Sequence, residues 1–137
     1  MLADAVQAFP DECCGFLFGQ EDGEGHRTIT TIRVVNNAKE GDKRRRFVIA
    51  PLDYIQAEQF AEESGLTLLG VYHSHPNHPA IPSEHDRIAA QPFFSYVIVS
   101  VLERKVGPVR SWRLNDEAQF EEESVAVPVL STGAENA

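Results

Sequence analysis

His73 and His75 stand two residues apart, directly after the apolar run LTLLGVY. On an extended chain, residues i and i+2 project from the same face, so both imidazoles can meet one ion. Ser74 then points the other way, into packing, and Pro76 ends the run, which places the pair at a sheet's rim. Ten and thirteen residues after His73 come Ser83 and Asp86. Ser-x-x-Asp ahead of an apolar helical stretch resembles a capping box, and taken alone it favours capping. Beside two histidines it gains a second reading. A short proline-rich loop returns the helix start towards the pair, so two imidazoles and one carboxylate can hold a tetrahedral Zn²⁺ with its fourth position open for water. His78 lies in that loop and reads as a second-layer or substrate-facing group. His85, adjacent to Asp86 on the helix, should point about 100° away and stay in solvent.

The elements that must position these residues alternate between strand and helix. Leu2 to Phe9 reads as a short helix stopped by Pro10. Cys14 to Phe18 and the β-branched run Thr28 to Val35 read as a hairpin around the turn GQEDGEG, and Phe47 to Ala50 as a further short strand. Pro51 and Asp53 open a helix that Gly65 stops. LTLLGVY suits a central strand buried on both faces, followed by an irregular HSHPNHPAIP. SEHDRIAAQ is a short helix, Tyr96 to Leu102 a second buried strand, and Val109 to Leu114 an outer strand. The segment from Asp116 is an acidic tail containing Glu121, Glu122 and Glu123. The class is α/β or α+β, with a mixed sheet flanked by helices. One domain over 1–125 is expected, with a disordered tail over 126–137.

Composition narrows the function. The chain has 137 residues with 12 Lys plus Arg against 21 Asp plus Glu, a net charge of −9. That balance argues against a broad phosphate-binding surface and hence against nucleic acid. No stretch approaches the ~20 apolar residues of a membrane helix, and the first residues do not read as a secretory signal, so a cytoplasmic protein is expected. Cys13 and Cys14 are adjacent and cannot staple distant segments. They should be reduced thiols on opposite faces of a strand, at least one of them buried. The basic segment from Lys39 to Arg46 is a loop in which Arg44 and Arg45 are candidate ligand contacts.

Together, HSHP at 73–76, Ser83 and Asp86 resemble the JAMM (MPN-plus) metalloprotease signature. Pro10, Glu12 and Gly15 in PDECCGFLFG resemble its N-terminal glutamate motif, and FVIAPLD at 47–53 resembles the Phe-x-Ile-x-Pro segment of its bacterial branch. The resemblance implies a cytidine-deaminase-like MPN fold and one Zn²⁺ per chain on His73, His75 and Asp86. It also implies Glu12 as general base and Ser83 as oxyanion donor. By its residue type alone, Glu12 would be an exposed acid at a strand entrance. The implied activity is hydrolysis after the terminal Gly-Gly of a small ubiquitin-like or sulfur-carrier protein. A non-catalytic MPN-type interaction module and a hydrolase of an unrelated small amide stay open as alternatives.

Overall fold

The computed structural model describes residues 1–43 and 46–126. Arg44, Arg45 and the tail from 127 onwards, with the disorder expected there, lie outside the described residues. Helix α1 (Leu2–Ala8) leads through a turn into β1 (Cys14–Glu21), which forms a hairpin with β2 (Arg27–Val35). Helix α2 (Pro51–Ser64) precedes β3 (Thr67–Pro76), then come α3 (Glu84–Ala89), β4 (Ser95–Leu102), β5 (Lys105–Leu114) and β6 (Phe120–Glu123). The six strands make one sheet in the order β2-β1-β3-β4-β5-β6. Every neighbouring pair is antiparallel except β3 with β4, whose parallel pairing the α3 crossover makes possible.

The central strands of the sheet are buried on both faces, which explains why β3 and β4 are apolar without alternation. On one face Phe16, Phe18, Val71 and Tyr96 pack under α2, whose Ala57 and Ala61 let the helix approach closely. On the other, Leu17, Tyr72, Val97 and Val99 pack under α1 through Ala5. Each large side chain so buried contributes roughly 1.5–3 kcal/mol. Cys13 and Cys14 are free, both are buried, and they fall on opposite faces, as a two-residue period requires. Helix α2 begins at Pro51 and ends at Gly65, whose φ of 68° is the left-handed conformation that glycine adopts without a Cβ penalty. Among the described residues, no helix is long and apolar enough to cross a membrane.

Several local expectations change. Strand β1 runs three residues into the expected turn, because Gly19 lets the backbone of Thr28 pass where a Cβ would lie 1.8 Å from its carbonyl oxygen. Residues 46–50 form no strand; Val48 instead bonds to Ala38 and to the Asn37 side chain. HSHP is not irregular: β3 continues through Pro76, which needs no N–H at that end of its pairing with β4. β5 is not an outer strand, because the acidic run expected as tail is β6, held by Arg110 on Glu122 and by Ser111 on Glu123.

At Gly70, a Cβ would lie 1.9 Å from the carbonyl oxygen of Ser95 at the start of the parallel pair. Gly70→Ala should therefore destabilise by at least about 2 kcal/mol. Thermal melting checks this against Gly23→Ala, where a Cβ meets nothing within 4 Å. Equal midpoints would contradict the close approach.

Candidate active site

Three atoms converge at the carboxyl end of β3. His73 Nε2 and His75 Nε2 are 3.2 Å apart, and Asp86 Oδ2 lies 3.4 Å from the first and 3.3 Å from the second. Ligand atoms at ~2.0–2.1 Å from a tetrahedral zinc are separated by about 3.3–3.4 Å, so the triangle has the dimensions of one zinc face. Both imidazoles are buried, and Asp86 is carried in from the first turn of α3.

Neighbouring groups set the state of each ligand atom. His75 Nδ1 donates to the Pro79 carbonyl at 2.8 Å, which in the neutral ring leaves the Nε2 lone pair facing the triangle. His73 stacks on Phe47 with ring centroids 4.4 Å apart. Burial draws His73 below its ordinary pKa, despite Asp86, which favours the neutral imidazole a metal needs. At His75 burial acts the same way, but hydrogen bonds with Asp86 and Pro79 outweigh it and raise the pKa. Burial alone would raise Asp86; the two histidines and the Ser83 backbone reverse this and hold it well below the usual carboxylate range.

The capping reading and the ligand reading of Ser83 and Asp86 are geometrically compatible. Ser83 Oγ accepts the Asp86 N–H at 3.1 Å, and Asp86 Oδ2 accepts the Ser83 N–H at 2.8 Å, a complete capping box. The same oxygen faces both histidines. Ser83 still has its own O–H to donate.

Glu12 is the largest departure from the residue-type expectation. It is only 5% exposed rather than an exposed acid, and Oε1 has no hydrogen-bond partner among the described residues. One carboxylate oxygen lies within 4.8 Å of a nitrogen of each histidine, close enough that Glu12, His73 and His75 form a second set that could hold an ion. Burial pushes its pKa up to about 8, with His75 opposing and Asp86 reinforcing the shift. The site is thus a set of three ligand-spaced atoms with a buried carboxylate beside it, one oxygen of which has no hydrogen-bond partner among the described residues.

Two clefts are lined by triangle residues. One, of about 490 Å³, is lined by Glu12, His75, His78, Pro79, Ile81 and Ser83. The other, of about 500 Å³, holds His73 and Asp86 with Phe47, Tyr54, Ile88 and Tyr96, and is rimmed by Lys39 and Arg46. His78 is exposed, as a substrate-facing group must be. His85 is exposed as well, yet it lines the second cleft.

Three contributors were not legible as site residues. The Pro79 carbonyl and Trp112, whose Nε1 donates to Ala80 in the same loop, belong to no motif, and the Phe-x-Ile-x-Pro resemblance at Phe47 did not indicate that its ring stacks on His73. Ser74, expected in packing, does more: its Oγ accepts the Cys13 N–H at 2.8 Å across 61 residues. This ties the segment carrying Glu12 to the strand carrying the histidines.

Relatives share this arrangement's fold. The chain is 26% identical over 126 residues to a protein named desampylase from Pyrococcus furiosus, covering 92% of this chain and 83% of that one. It is 32% identical over 123 residues to the CysO-cysteine peptidase of Mycobacterium tuberculosis, covering 89% and 81%. A protein of Desulfitobacterium hafniense solved in solution superposes with a TM-score of 0.79 at 33% identity, over 92% of this chain and 84% of that one. The family of prokaryotic homologs of the JAB domain matches residues 1–115, which include every residue of the triangle and Glu12. A mixed sheet that presents two histidines from one strand, an aspartate from the next helix and a buried glutamate is what that match covers, and the chain belongs to this family.

Proposed function

We propose that this protein is a zinc-dependent peptidase that hydrolyses the bond after the terminal Gly-Gly of a small ubiquitin-like or sulfur-carrier protein. The observation that carries the reading is the triangle of His73, His75 and Asp86 with Glu12 beside it. Relatives whose names describe cleavage of such conjugates, the desampylase and the CysO-cysteine peptidase, support the substrate class.

The three triangle residues would hold one Zn²⁺ per chain. When bound, zinc acts as a Lewis acid and lowers the pKa of a coordinated water towards ~7. Glu12, buried and with an oxygen that nothing else engages, takes the attacking water's proton and passes it to the leaving amine. The amine must therefore leave on the side where Glu12 is reachable, the cleft with His78, Pro79 and Ile81. The carrier's tail would then take the other, more apolar cleft. Ser83 donates its O–H to the developing oxyanion, a contribution of roughly 3 kcal/mol at typical sites. His78 would contact the leaving group. Lys39 and Arg46 rim the tail's cleft, and with Arg44 and Arg45 they form the basic segment of an acidic protein. They would steer the carrier, chiefly through the encounter rate.

Glycine suits such a tail because its backbone can approach the reacting centre without a Cβ clash. Mass spectrometry of a carrier–cysteine adduct incubated with the zinc-loaded protein should show the free Gly-Gly terminus, and replacing the penultimate glycine by valine should abolish it. Equal cleavage of the valine form would favour a hydrolase of an unrelated amide. No cleavage of any Gly-Gly adduct would favour an interaction module.

A further inference from the structure

A single side chain ties the Glu12 backbone to the loop that covers the site. Asn37 follows β2 and is half-buried. Its Nδ2 donates to the Glu12 carbonyl at 3.0 Å and to the Arg46 carbonyl at 3.1 Å. Its Oδ1 accepts the N–H groups of Lys39 and Val48, each at 3.0 Å. Two donors and two acceptor sites are all that an asparagine amide offers, so every one is used. The pattern also settles which end of the amide is nitrogen, because both carbonyls lie on one side and both N–H groups on the other.

The consequence reaches both halves of the site. The Glu12 N–H donates to the Lys43 carbonyl at 2.7 Å, so the loop returns to the same residue from its other side. Phe47, between the two loop residues Asn37 holds on that side, is the ring stacked on His73. Among the described residues, neither Glu12 Oε1 nor His73 Nδ1 has a hydrogen-bond partner of its own. The Glu12 backbone and the Phe47 ring stacked on His73 therefore help to set where these groups lie, and Asn37 is a side chain that joins those two supports.

We infer that Asn37 is the positioning residue for the general base, acting through the Glu12 backbone and the backbone of Lys39, Arg46 and Val48 without touching substrate. The inference rests on the peptidase reading for its kinetic consequence. Its structural content stands apart from that reading.

Two variants separate the contributions. Asn37→Asp keeps an acceptor for Lys39 and Val48 but cannot donate to Glu12 or Arg46. Asn37→Ala removes all four bonds and adds no charge. Both should lower kcat on a carrier–cysteine adduct by about 10²-fold, the scale of a displaced catalytic group, while KM changes little and zinc content is retained. In the metal-free protein, the wild-type Asn37 side-chain amide protons should exchange slowly, and the carboxyl ¹³C resonance of Glu12 should move in both variants. A raised KM with intact kcat would overturn the inference and make the loop a substrate contact. Unchanged kcat together with an unmoved Glu12 resonance would also overturn it. If the wild type cleaves no adduct, the peptidase reading fails, and Asn37 is judged on the resonance alone: moved supports the inference, unmoved overturns it.

Discussion

Glu12→Gln is expected to lower kcat by about 10²–10⁴-fold while zinc content stays close to that of the wild type. The substitution keeps the size of the side chain and removes the group proposed to accept the proton. The triangle consists of His73, His75 and Asp86, so on this reading losing the charge of Glu12 should leave those three in place. Elemental analysis beside steady-state kinetics checks both halves at once. A variant that is inactive because it is empty would make Glu12 a ligand and overturn its role.

The same variant has a signature that needs no substrate. In the metal-free protein burial holds Glu12 at about 8, against 4.5 for an unperturbed glutamate. A native pKa raised in this way means that the folded state binds the proton more tightly. The stability it contributes is fully present below pH 4.5 and is lost as pH rises through about 8. Asp86 contributes the opposite slope, but it is common to both proteins and cancels in the comparison. After chelation, Glu12→Gln should therefore melt above the wild type beyond pH 8 and close to it near pH 4.5. Parallel curves of midpoint against pH would show that the carboxyl is not desolvated.

His75→Ala is expected to empty the metal site and with it to remove turnover that added zinc cannot restore. Losing an outer partner of a ligand typically costs about 10–100-fold in metal affinity, and losing the ligand itself should cost more. The variant also frees the Pro79 carbonyl, which His75 Nδ1 engages at 2.8 Å, so the loop bearing His78 loses a tether. Its folding should survive, because a chain of 137 residues buries enough surface to fold without a metal staple. Wild-type activity should fall on chelation and return with zinc. Equal zinc in the wild type and His75→Ala would rule out the triangle as the metal site.

Much of the candidate site was legible because its geometry is local. The two-residue spacing of His73 and His75 places both on one face of any strand, whatever surrounds it. Ser83 and Asp86 are three apart at a helix start, and a capping box is a property of those four residues alone. Pro51 and Gly65 bracket α2 for equally local reasons. Where the reading failed, the missing information was a partner elsewhere in the chain. Glu121 to Glu123 look like solvated tail until β5 offers Arg110 and Ser111 to pair with them. Phe47 to Ala50 look like strand, but the hydrogen bonds of that segment go to Asn37 and Ala38.

By itself, then, the sequence determined a mixed-sheet domain with two imidazoles and a carboxylate near one strand end, since periodicity, capping and chain reversal act over a few residues. Only the tertiary structure decided that Glu12 is buried beside them, that Phe47 stacks on His73, and that Asn37 joins the two supports. The bond from Cys13 to Ser74 spans 61 residues, and no local pattern encodes such a contact. Burial is a property of everything packed around a group. The same glutamate that would be an ordinary exposed acid on an open strand is held here at about 8 because burial keeps water from it and Asp86 adds to the shift, against the opposing pull of His75.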